Sequence, residues 1–360
     1  MKQKPKILVV GSGIIGASIA LSCVNLSADV VVLEQSTLGG AASSNSFGWI
    51  NASFAESPAY FELRNAAVKA FRNLKTELNL NDSVSWQGTL WWEDGGQELK
   101  KQFNNLLDRG YAAKFLNENE IKNLEPNLKD VPEAAIFTPY EGAAEADRVA
   151  LKMLAKLTDE GGKVISGCTV EGLQFKKDRV SGVKTNIGKM SCDMVVLATG
   201  ADAQNGLLGC EWNLPMQNKK GLIVQTSSVP DLINHILMTN DVHFKQNVDG
   251  TLTAGEIFSG DFEENTLALD LASDVLSRIS KKLDLSTNLI PTNIKIGVRP
   301  VPIDGFPVVG EIVGHEGVFV AVMHSGVTLA PLIGQLLASE MLKTSKSPLL
   351  DSFRPNRFVN

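Results

Sequence analysis

Cysteine, tyrosine and excess positive charge are all scarce in this 360-residue sequence. Its four cysteines, at positions 23, 168, 192 and 210, form no C-x-x-C pair and no disulfide-like pattern. We therefore predict reduced, buried thiols in a cytoplasmic protein, and no metal site. The formal net charge is -6, and the only basic run lies at residues 2–6. This balance argues against a surface that binds nucleic acid.

Long apolar runs are also missing. No segment approaches the roughly 20 apolar residues that a membrane-spanning helix needs, so no transmembrane segment is expected. Hydrophobic residues make up 44% of the chain and charged residues 21%, which is typical of a soluble globular protein. The length predicts about two domains.

The stretch KILVVGSGIIG near the N-terminus carries the clearest motif. Residues 7–10 form a short apolar run that suits a strand buried on both faces. Gly11 allows a tight turn, Gly13 lets the backbone approach a pyrophosphate, and Gly16 lets the next helix pack on the sheet. A second apolar run ends at Glu34, whose carboxylate can accept hydrogen bonds from a ribose. Strand, glycines, helix, strand and acid in this order predict a dinucleotide site.

The same N-terminal residues also resemble a secretory or lipoprotein signal, with a basic start and an apolar run that ends at Cys23. Cleavage there would remove the glycine loop and leave Glu34 without its site. We therefore favour the dinucleotide interpretation.

A loop of small residues follows Glu34. Residues 35–51 contain glycines that permit close backbone approach and serines that can bind a phosphate. Phe47 and Trp49 argue against a flexible linker, because both are large and apolar. Residues 58–78 then show the apolar spacing of a helix.

The remaining pattern alternates between two kinds of structure. Residues 134–138 and 194–197 are predicted strands, a capping box at residues 117–120 opens a short helix, and Asp147 is the predicted N-cap of the next helix. Residues 212–291 have an antiparallel pattern with a hairpin turn and one long helix. We predict an α/β fold with a Rossmann-like, doubly wound dinucleotide-binding domain and an antiparallel-sheet α+β substrate domain. The first comprises residues 1–85, 140–211 and 293–360, and the second 86–139 and 212–292.

Two features near the C-terminus indicate chemistry. Arg299 lies between Val298 and Pro300 in an apolar setting, so it needs an anion. That anion is either a structural carboxylate, such as Asp304, or a ligand. Residues 325–328 open a helix with free backbone N–H groups that can stabilise negative charge on a bound ring.

With these motifs in their order, the chain from residue 6 to about 343 resembles the D-amino-acid oxidase superfamily of FAD-dependent oxidoreductases, which includes glycine oxidase, sarcosine oxidase and D-amino-acid dehydrogenases. The resemblance makes the first domain an FAD-binding domain. It implies these cofactor-binding residues: Gly11, Gly13, Ile14, Ile15, Gly16, Glu34, Gln35, Ala42, Ser43, Ser44, Asn45, Phe47, Gly48, Val170, Thr199, Gly200, Ser325, Gly326, Val327 and Thr328.

The resemblance also implies an activity. A small amino acid, such as a D-amino acid, glycine or a related amine, would lose a hydride to flavin N5 and form an imine that water hydrolyses. The implied catalytic residues are Arg299, which would bind the substrate carboxylate, His324, Phe244 and Trp49. Alternatives are oxidation of a secondary amine and a flavin-bearing subunit of a larger assembly.

Two departures from the family pattern matter. Members with covalent flavin use a cysteine just after the Arg-Pro motif or a histidine in the early loop, and this chain has neither, so we expect non-covalent FAD. Many members also carry a tyrosine in the substrate-domain strand, whereas residues 242–256 have none. Phe244 or Lys245 is the loose placement for that position.

The electron acceptor is oxygen or an electron carrier. Sarcosine-oxidase-like members place a lysine near flavin N5, and residues 47–52 and 323–331 contain no lysine. A dehydrogenase or slow oxidase is therefore expected, although Lys245 and the Lys219-Lys220 pair could reach the ring. An oligomer is possible.

Overall fold

The computed structural model describes residues 4–205, 212–258, 266–285 and 288–358. Within these residues, the strands are β1 (Lys6–Val10), β2 (Asp29–Glu34), β3 (Trp49–Ile50), β4 (Val84–Ser85), β5 (Thr89–Trp91), β6 (Lys114–Asn117), β7 (Ala134–Thr138), β8 (Gly142–Ala144), β9 (Lys163–Ser166), β10 (Val170–Lys176), β11 (Arg179–Thr185), β12 (Gly188–Ser191), β13 (Met194–Leu197), β14 (Met216–Ser228), β15 (Ile236–Met238), β16 (His243–Gln246), β17 (Thr251–Phe258), β18 (Pro291–Pro302), β19 (Val308–Glu311) and β20 (Val318–Val322).

The helices alternate with these strands. They are α1 (Ile14–Asn25), α2 (Ala41–Ser44), α3 (Pro58–Glu77), α4 (Gly96–Asp108), α5 (Glu118–Leu124), α6 (Ala146–Asp159), α7 (Thr266–Lys282) and α8 (Gly326–Lys343), with short 3-10 helices at Gly200–Asn205, Pro348–Phe353 and Pro355–Phe358. The predicted α/β fold class is confirmed.

A six-stranded sheet has the order β19-β20-β13-β1-β2-β9. All of its pairs are parallel except β19 with β20. Ile7 and Val9 pack with α1, α6 and α8 on one face, whereas Leu8 and Val10 pack on the other face with β10, β11 and β12. The central strand is therefore buried on both faces, as its apolar run predicted.

An eight-stranded sheet has the order β18-β14-β17-β16-β15-β5-β7-β6. Its pairs are antiparallel apart from β15 with β5. One face packs against α7. Strand β18 pairs with β14 from Pro291 to Pro302, so Arg299 belongs to this sheet, although the predicted boundary at residue 293 put it in the FAD-binding domain. The division into domains stays a prediction.

Most local predictions agree with these elements. Helix α3 and strand β7 have nearly the predicted bounds, and both bonds of the capping box between Asn117 and Glu120 are present. The N-cap prediction was wrong, because Glu145 caps α6 and Asp147 lies in its first turn. Cys210 and the first residue of the long helix, which the sequence predicts at about residues 265–283, lie outside the described residues.

In the described part of the chain, no helix combines the length and the apolar composition that crossing a membrane requires. Nor do the described histidine, cysteine, aspartate and glutamate side chains group as a metal site.

Candidate active site

Gly11 and Gly16 hold the glycine loop against its neighbours. Gly11 has φ +103°, and a Cβ there would clash with the carbonyl oxygen of Ala198 at the end of β13. A Cβ on Gly16 would clash with the carbonyl oxygen of Gly11. Only glycine fits at either position, so both have the structural roles that the motif assigns to them.

Gly13 differs from these two glycines, because it has an ordinary φ of -61° and ends the loop as the N-cap of α1. A Cβ there would lie 3.4 Å from Ser43 Oγ and meet no backbone closer than 3.8 Å. The hydroxyl of Ser43 accepts a hydrogen bond from Ile14 N at 3.1 Å, and the other N–H groups of a first helical turn have no intrahelical partner. The space beside Gly13 therefore suits a pyrophosphate.

Two further features at the end of β13 fit the same cofactor. The hydroxyl of Thr199 is buried without a hydrogen-bond partner in the described structure. Gly200 has φ +58°, and a Cβ there would meet no atom within 4 Å. The unpaired hydroxyl of Thr199 and the free space beside Gly200 suit a polar ligand. They lie at the carboxyl end of the strands, where doubly wound sheets bind their ligands.

Glu34 is buried at the end of β2, 6% exposed. Its Oε2 accepts hydrogen bonds from Ser12 N (2.9 Å) and Ser12 Oγ (2.7 Å), and its Oε1 from Ser36 N (2.9 Å) and Ser36 Oγ (3.1 Å). Burial alone would raise the pKa of Glu34, but these four bonds together lower it. The carboxylate thus ties the glycine loop to the next loop. Its recognition of a ribose stays a prediction.

The second loop lies on the eight-stranded sheet, where glycines make room for it. A Cβ on Gly297 would lie 2.7 Å from Asn45 Cβ, and one on Gly255 would lie 3.2 Å from Phe47 Cδ2. Lys295 Nζ donates to the carbonyl oxygen of Ser44 at 3.1 Å. The predicted flavin loop therefore joins the six-stranded sheet to the eight-stranded one.

Thr328 fastens the start of α8 to this loop. Its hydroxyl donates to Trp49 O and accepts from Asn51 N, both at 3.2 Å. Both bonds use the hydroxyl of Thr328. A bound flavin ring would therefore be contacted by the backbone of this residue and not by its side chain. Ser325, the N-cap of α8, has a left-handed φ of 53°.

Arg299 lies on the face of the eight-stranded sheet that meets the predicted flavin loop, and the space between that loop and this face is called the cleft below. It lies on the same face of β18 as Lys295 and Gly297, because alternate residues of a strand share a face. Its guanidinium covers Gly221 of β14, where a Cβ would lie 2.7 Å from Arg299 Nε. Burial lowers the pKa of Arg299 below its usual range. The structural alternative named Asp304, but that carboxylate binds Arg357, with Nε to Oδ2 at 2.7 Å.

His324 lies just before α8, where solvent reaches part of the residue. Desolvation by the surrounding protein lowers its pKa to about 4, and three cationic neighbours act in the same direction. These neighbours are Arg299, Arg64 and Lys219. His324 is therefore a neutral imidazole near pH 7, next to a concentration of positive charge.

Desolvation and the three nearby cations together predict the titration of His324. The imidazole should stay neutral until the pH falls to about 4, against about 6.5 in an unfolded chain. Between those values the unfolded chain binds the extra proton, so this group should reduce stability as the pH falls through the window. Arg299→Met should raise the pKa, because it removes one cation. NMR titration of the four histidines measures both values, and an unshifted His324 would contradict the prediction.

Phe244 does not face the cleft, so its predicted catalytic role has no support in its position. It is fully buried among Leu222, Ala254 and the apolar side of α7. Its neighbour Lys245 points to the opposite face, as strand alternation requires. Lys245 is 3% exposed, and its Nζ lies 5.9 Å from the centre of the Phe47 ring. Burial lowers its pKa to about 8.

The other predicted residues are placed as follows. Gln35 Nε2 donates to Asp202 Oδ2 at 3.0 Å, Val170 begins β10 opposite Thr185, and Val327 is buried in α8. A Cβ on Gly48 would clash with the carbonyl oxygen of Ala144. A Cβ on Gly326 would lie 3.4 Å from Ile15 Cγ1.

Sequence reasoning missed Arg64, Asn51 and Glu141, which are buried polar residues beside the loop. One signal could have found Arg64. It lies on α3 between buried apolar positions, and arginine is almost never fully buried without partners.

Comparisons with known proteins agree with this geometry. The family model DAO, described as FAD dependent oxidoreductase, matches residues 6–340. Hydrogen cyanide synthase subunit HcnC of Pseudomonas aeruginosa is 26% identical over 304 residues, 78% of this chain and 70% of its own. Glycine oxidase of Pseudomonas putida is 23% identical over 357 residues, 96% of each chain.

Among solved structures, L-proline dehydrogenase from P. horikoshii has a TM-score of 0.86 at 23% identity, and the match covers 99% of this chain and 98% of the other. This likeness shows the shared fold. The family match extends over most of the chain and includes both glycine-rich loops, β18 and the start of α8. The chain therefore belongs to the DAO family of FAD-dependent oxidoreductases.

Proposed function

We propose that the protein oxidises the C–N bond of a small amino acid, such as a D-amino acid, glycine or a related amine. The observation that carries the proposal is the position of Arg299. Its guanidinium lies on the sheet face that packs against the predicted flavin loop and close enough to His324 to lower its pKa. A planar cation at that place suits a carboxylate, which it can bind with two parallel hydrogen bonds.

Bound FAD would supply the redox chemistry by accepting a hydride from the α-carbon, with one proton released to solvent, and the resulting imine would be hydrolysed by water to an oxo acid and ammonia. The protein's part is orientation. Arg299 binds the carboxylate of the substrate, and this contact fixes the orientation of the substrate's α-carbon. The neutral imidazole of His324 adds no further positive charge near the amine. A dedicated base is not required if the amine binds in its neutral form.

The cofactor should be released by acid. FAD is expected to bind non-covalently, because neither usual attachment position holds a cysteine or histidine. The protein should purify yellow, and acid precipitation should leave a yellow supernatant above a colourless pellet. Colour that stays in the pellet would show a covalent bond.

The test of the proposed function is anaerobic reduction of the flavin. The yellow protein is mixed without air with a panel of glycine, D- and L-amino acids and secondary amines, and loss of the flavin absorbance is followed. Rapid bleaching by primary amino acids supports the proposal. Bleaching by secondary amines alone favours an imino-acid oxidoreductase instead, the activity class to which the name of the P. horikoshii structure points.

A flavin-bearing subunit is the second candidate, since one relative is named as a synthase subunit. It predicts no bleaching by any amine for the isolated chain and recovery of the activity with a co-purified partner.

The identity of the electron acceptor remains a prediction. Mixing the reduced protein with oxygenated buffer decides it, and the expected result is reoxidation slower than turnover with an artificial dye.

A further inference from the structure

Residues 49–54, here called the wall segment, connect the predicted flavin loop to α3. Beyond the short pairing of β3 with β8, much of this backbone is bonded to side chains. Thr328 holds the carbonyl of Trp49 and the N–H of Asn51. Two buried charged side chains bind most of the remaining backbone N–H and carbonyl groups of the wall segment.

Arg64 of α3 is the first of them, 4% exposed. Its Nε donates to Asn51 O at 3.1 Å and its Nη1 to Phe54 O at 2.9 Å. Its Nη2 donates to Asn51 Oδ1. Nε and Nη2 thus bind Asn51 together, while Nη1 binds Phe54, so the planar guanidinium holds two residues of the wall segment. A lysine cannot reproduce this fork.

Glu141 is the second, with no exposed surface. Its Oε1 accepts hydrogen bonds from Ala52 N (3.3 Å), Ser53 N (3.2 Å) and Tyr111 Oη (2.9 Å). Its Oε2 accepts one from Thr138 Oγ1 (3.0 Å). A buried cation and a buried anion thus bind one short stretch of backbone from two sides.

Burying either charge is costly, and apolar side chains of similar volume often fill such space at no loss of stability. The rings at the two ends of the wall segment show what the two charges hold in place. Trp49 Nε1 donates to Thr89 Oγ1 at 2.9 Å, and the Trp49 and Phe54 rings meet edge to face, 5.2 Å apart. Phe54 also packs on Trp91, with ring centres 4.7 Å apart.

We propose that Arg64 and Glu141 are positioning residues for amine oxidation, which together fix the wall segment and its Trp49 and Phe54 rings beside the bound substrate. The proposal rests on the proposed function. The charge of Arg64 also acts on His324, since Arg64 is one of the cations that lower the pKa of that imidazole. Its charge therefore acts on the residue just before α8, while its hydrogen bonds hold the wall segment.

The test compares Arg64→Lys and Glu141→Gln with the wild-type holoenzyme. Arg64→Lys keeps the charge but loses the fork, and Glu141→Gln keeps the shape but loses the charge. Both should retain FAD and fold. Both should reduce the rate of anaerobic flavin reduction at saturating substrate by about 10- to 100-fold, since a 1 Å misplacement can cost 100-fold. Hydrogen exchange of residues 49–54 should become faster.

Arg179→Lys is the matched control. Arg179 forms an ion pair with Glu316 on the surface, Nη1 to Oε1 at 2.7 Å, so reduction should stay at the wild-type rate. Wild-type reduction rates in Arg64→Lys and Glu141→Gln would overturn the proposal. Loss of folding in both would also overturn it, because the pair would then be structural. Failure of the wild-type flavin to be reduced by any amine would instead overturn the proposed function.

Discussion

Arg299→Lys should give a folded, yellow protein that oxidises its substrate roughly 30- to several-thousand-fold more slowly. Losing one partner of a buried, hydrogen-bonded charge pair typically costs about 2–5 kcal/mol, and each 1.4 kcal/mol is a factor of ten. Lysine keeps the positive charge but cannot bind a carboxylate through two parallel bonds. Stopped-flow reduction of the flavin over a range of substrate concentrations measures the loss.

Arg299→Met separates a role in binding substrate from a structural role. If Arg299 binds substrate, the variant stays folded and yellow with little turnover, whereas a structural role predicts loss of folding or of flavin. Arg179→Met is a suitable control, because it removes an arginine whose ion pair with Glu316 lies on the surface, Nη1 to Oε1 at 2.7 Å. Full activity in Arg299→Met would contradict the assignment.

Gly13→Val should abolish FAD binding and leave the fold intact. The backbone at Gly13 is one that valine can adopt, and the nearest atoms leave room for a Cβ. The new side chain would instead occupy the place of the pyrophosphate. We expect FAD affinity to fall by more than about 100-fold, equivalent to roughly 2.7 kcal/mol. Visible absorbance reports the flavin, and circular dichroism reports the fold.

Gly16→Val should behave differently, although it changes the same motif. Its Cβ would clash with the carbonyl of Gly11, so folding should fail together with cofactor binding. Gly95→Val is a neutral control, since a Cβ at Gly95 meets no atom within 4 Å. Normal flavin content in Gly13→Val would show that the pyrophosphate does not lie beside this residue.

The local features could be predicted because neighbouring residues determine them. The glycine loop, the capping box at Asn117 and Glu120, and strand β7 depend on spacings within a few residues. The N-cap of α6 differed by two positions, because helix ends are the least certain part of such a pattern.

The orientation of strand β16 could not be predicted. The sequence offered Phe244 or Lys245 for one position, and only the pairing with β17 and the apolar surface of α7 decide which of them enters the core. A shift of one residue exchanges the two faces of a strand. The burial of Arg64 had the same kind of cause, since its acceptors in residues 51–54 are brought to it by tertiary packing.

The order of strands in the six-stranded sheet has a consequence for folding kinetics. Ile7 of β1 pairs with Met194, and Val195 pairs with Val318, so strands β1, β13 and β20 close very long loops when they pair. Closing long loops costs entropy before the contacts form, and chains dominated by such contacts fold slowly. Until β13 and β20 have joined the sheet, the apolar faces of β1 and β2 remain exposed, which favours aggregation during folding.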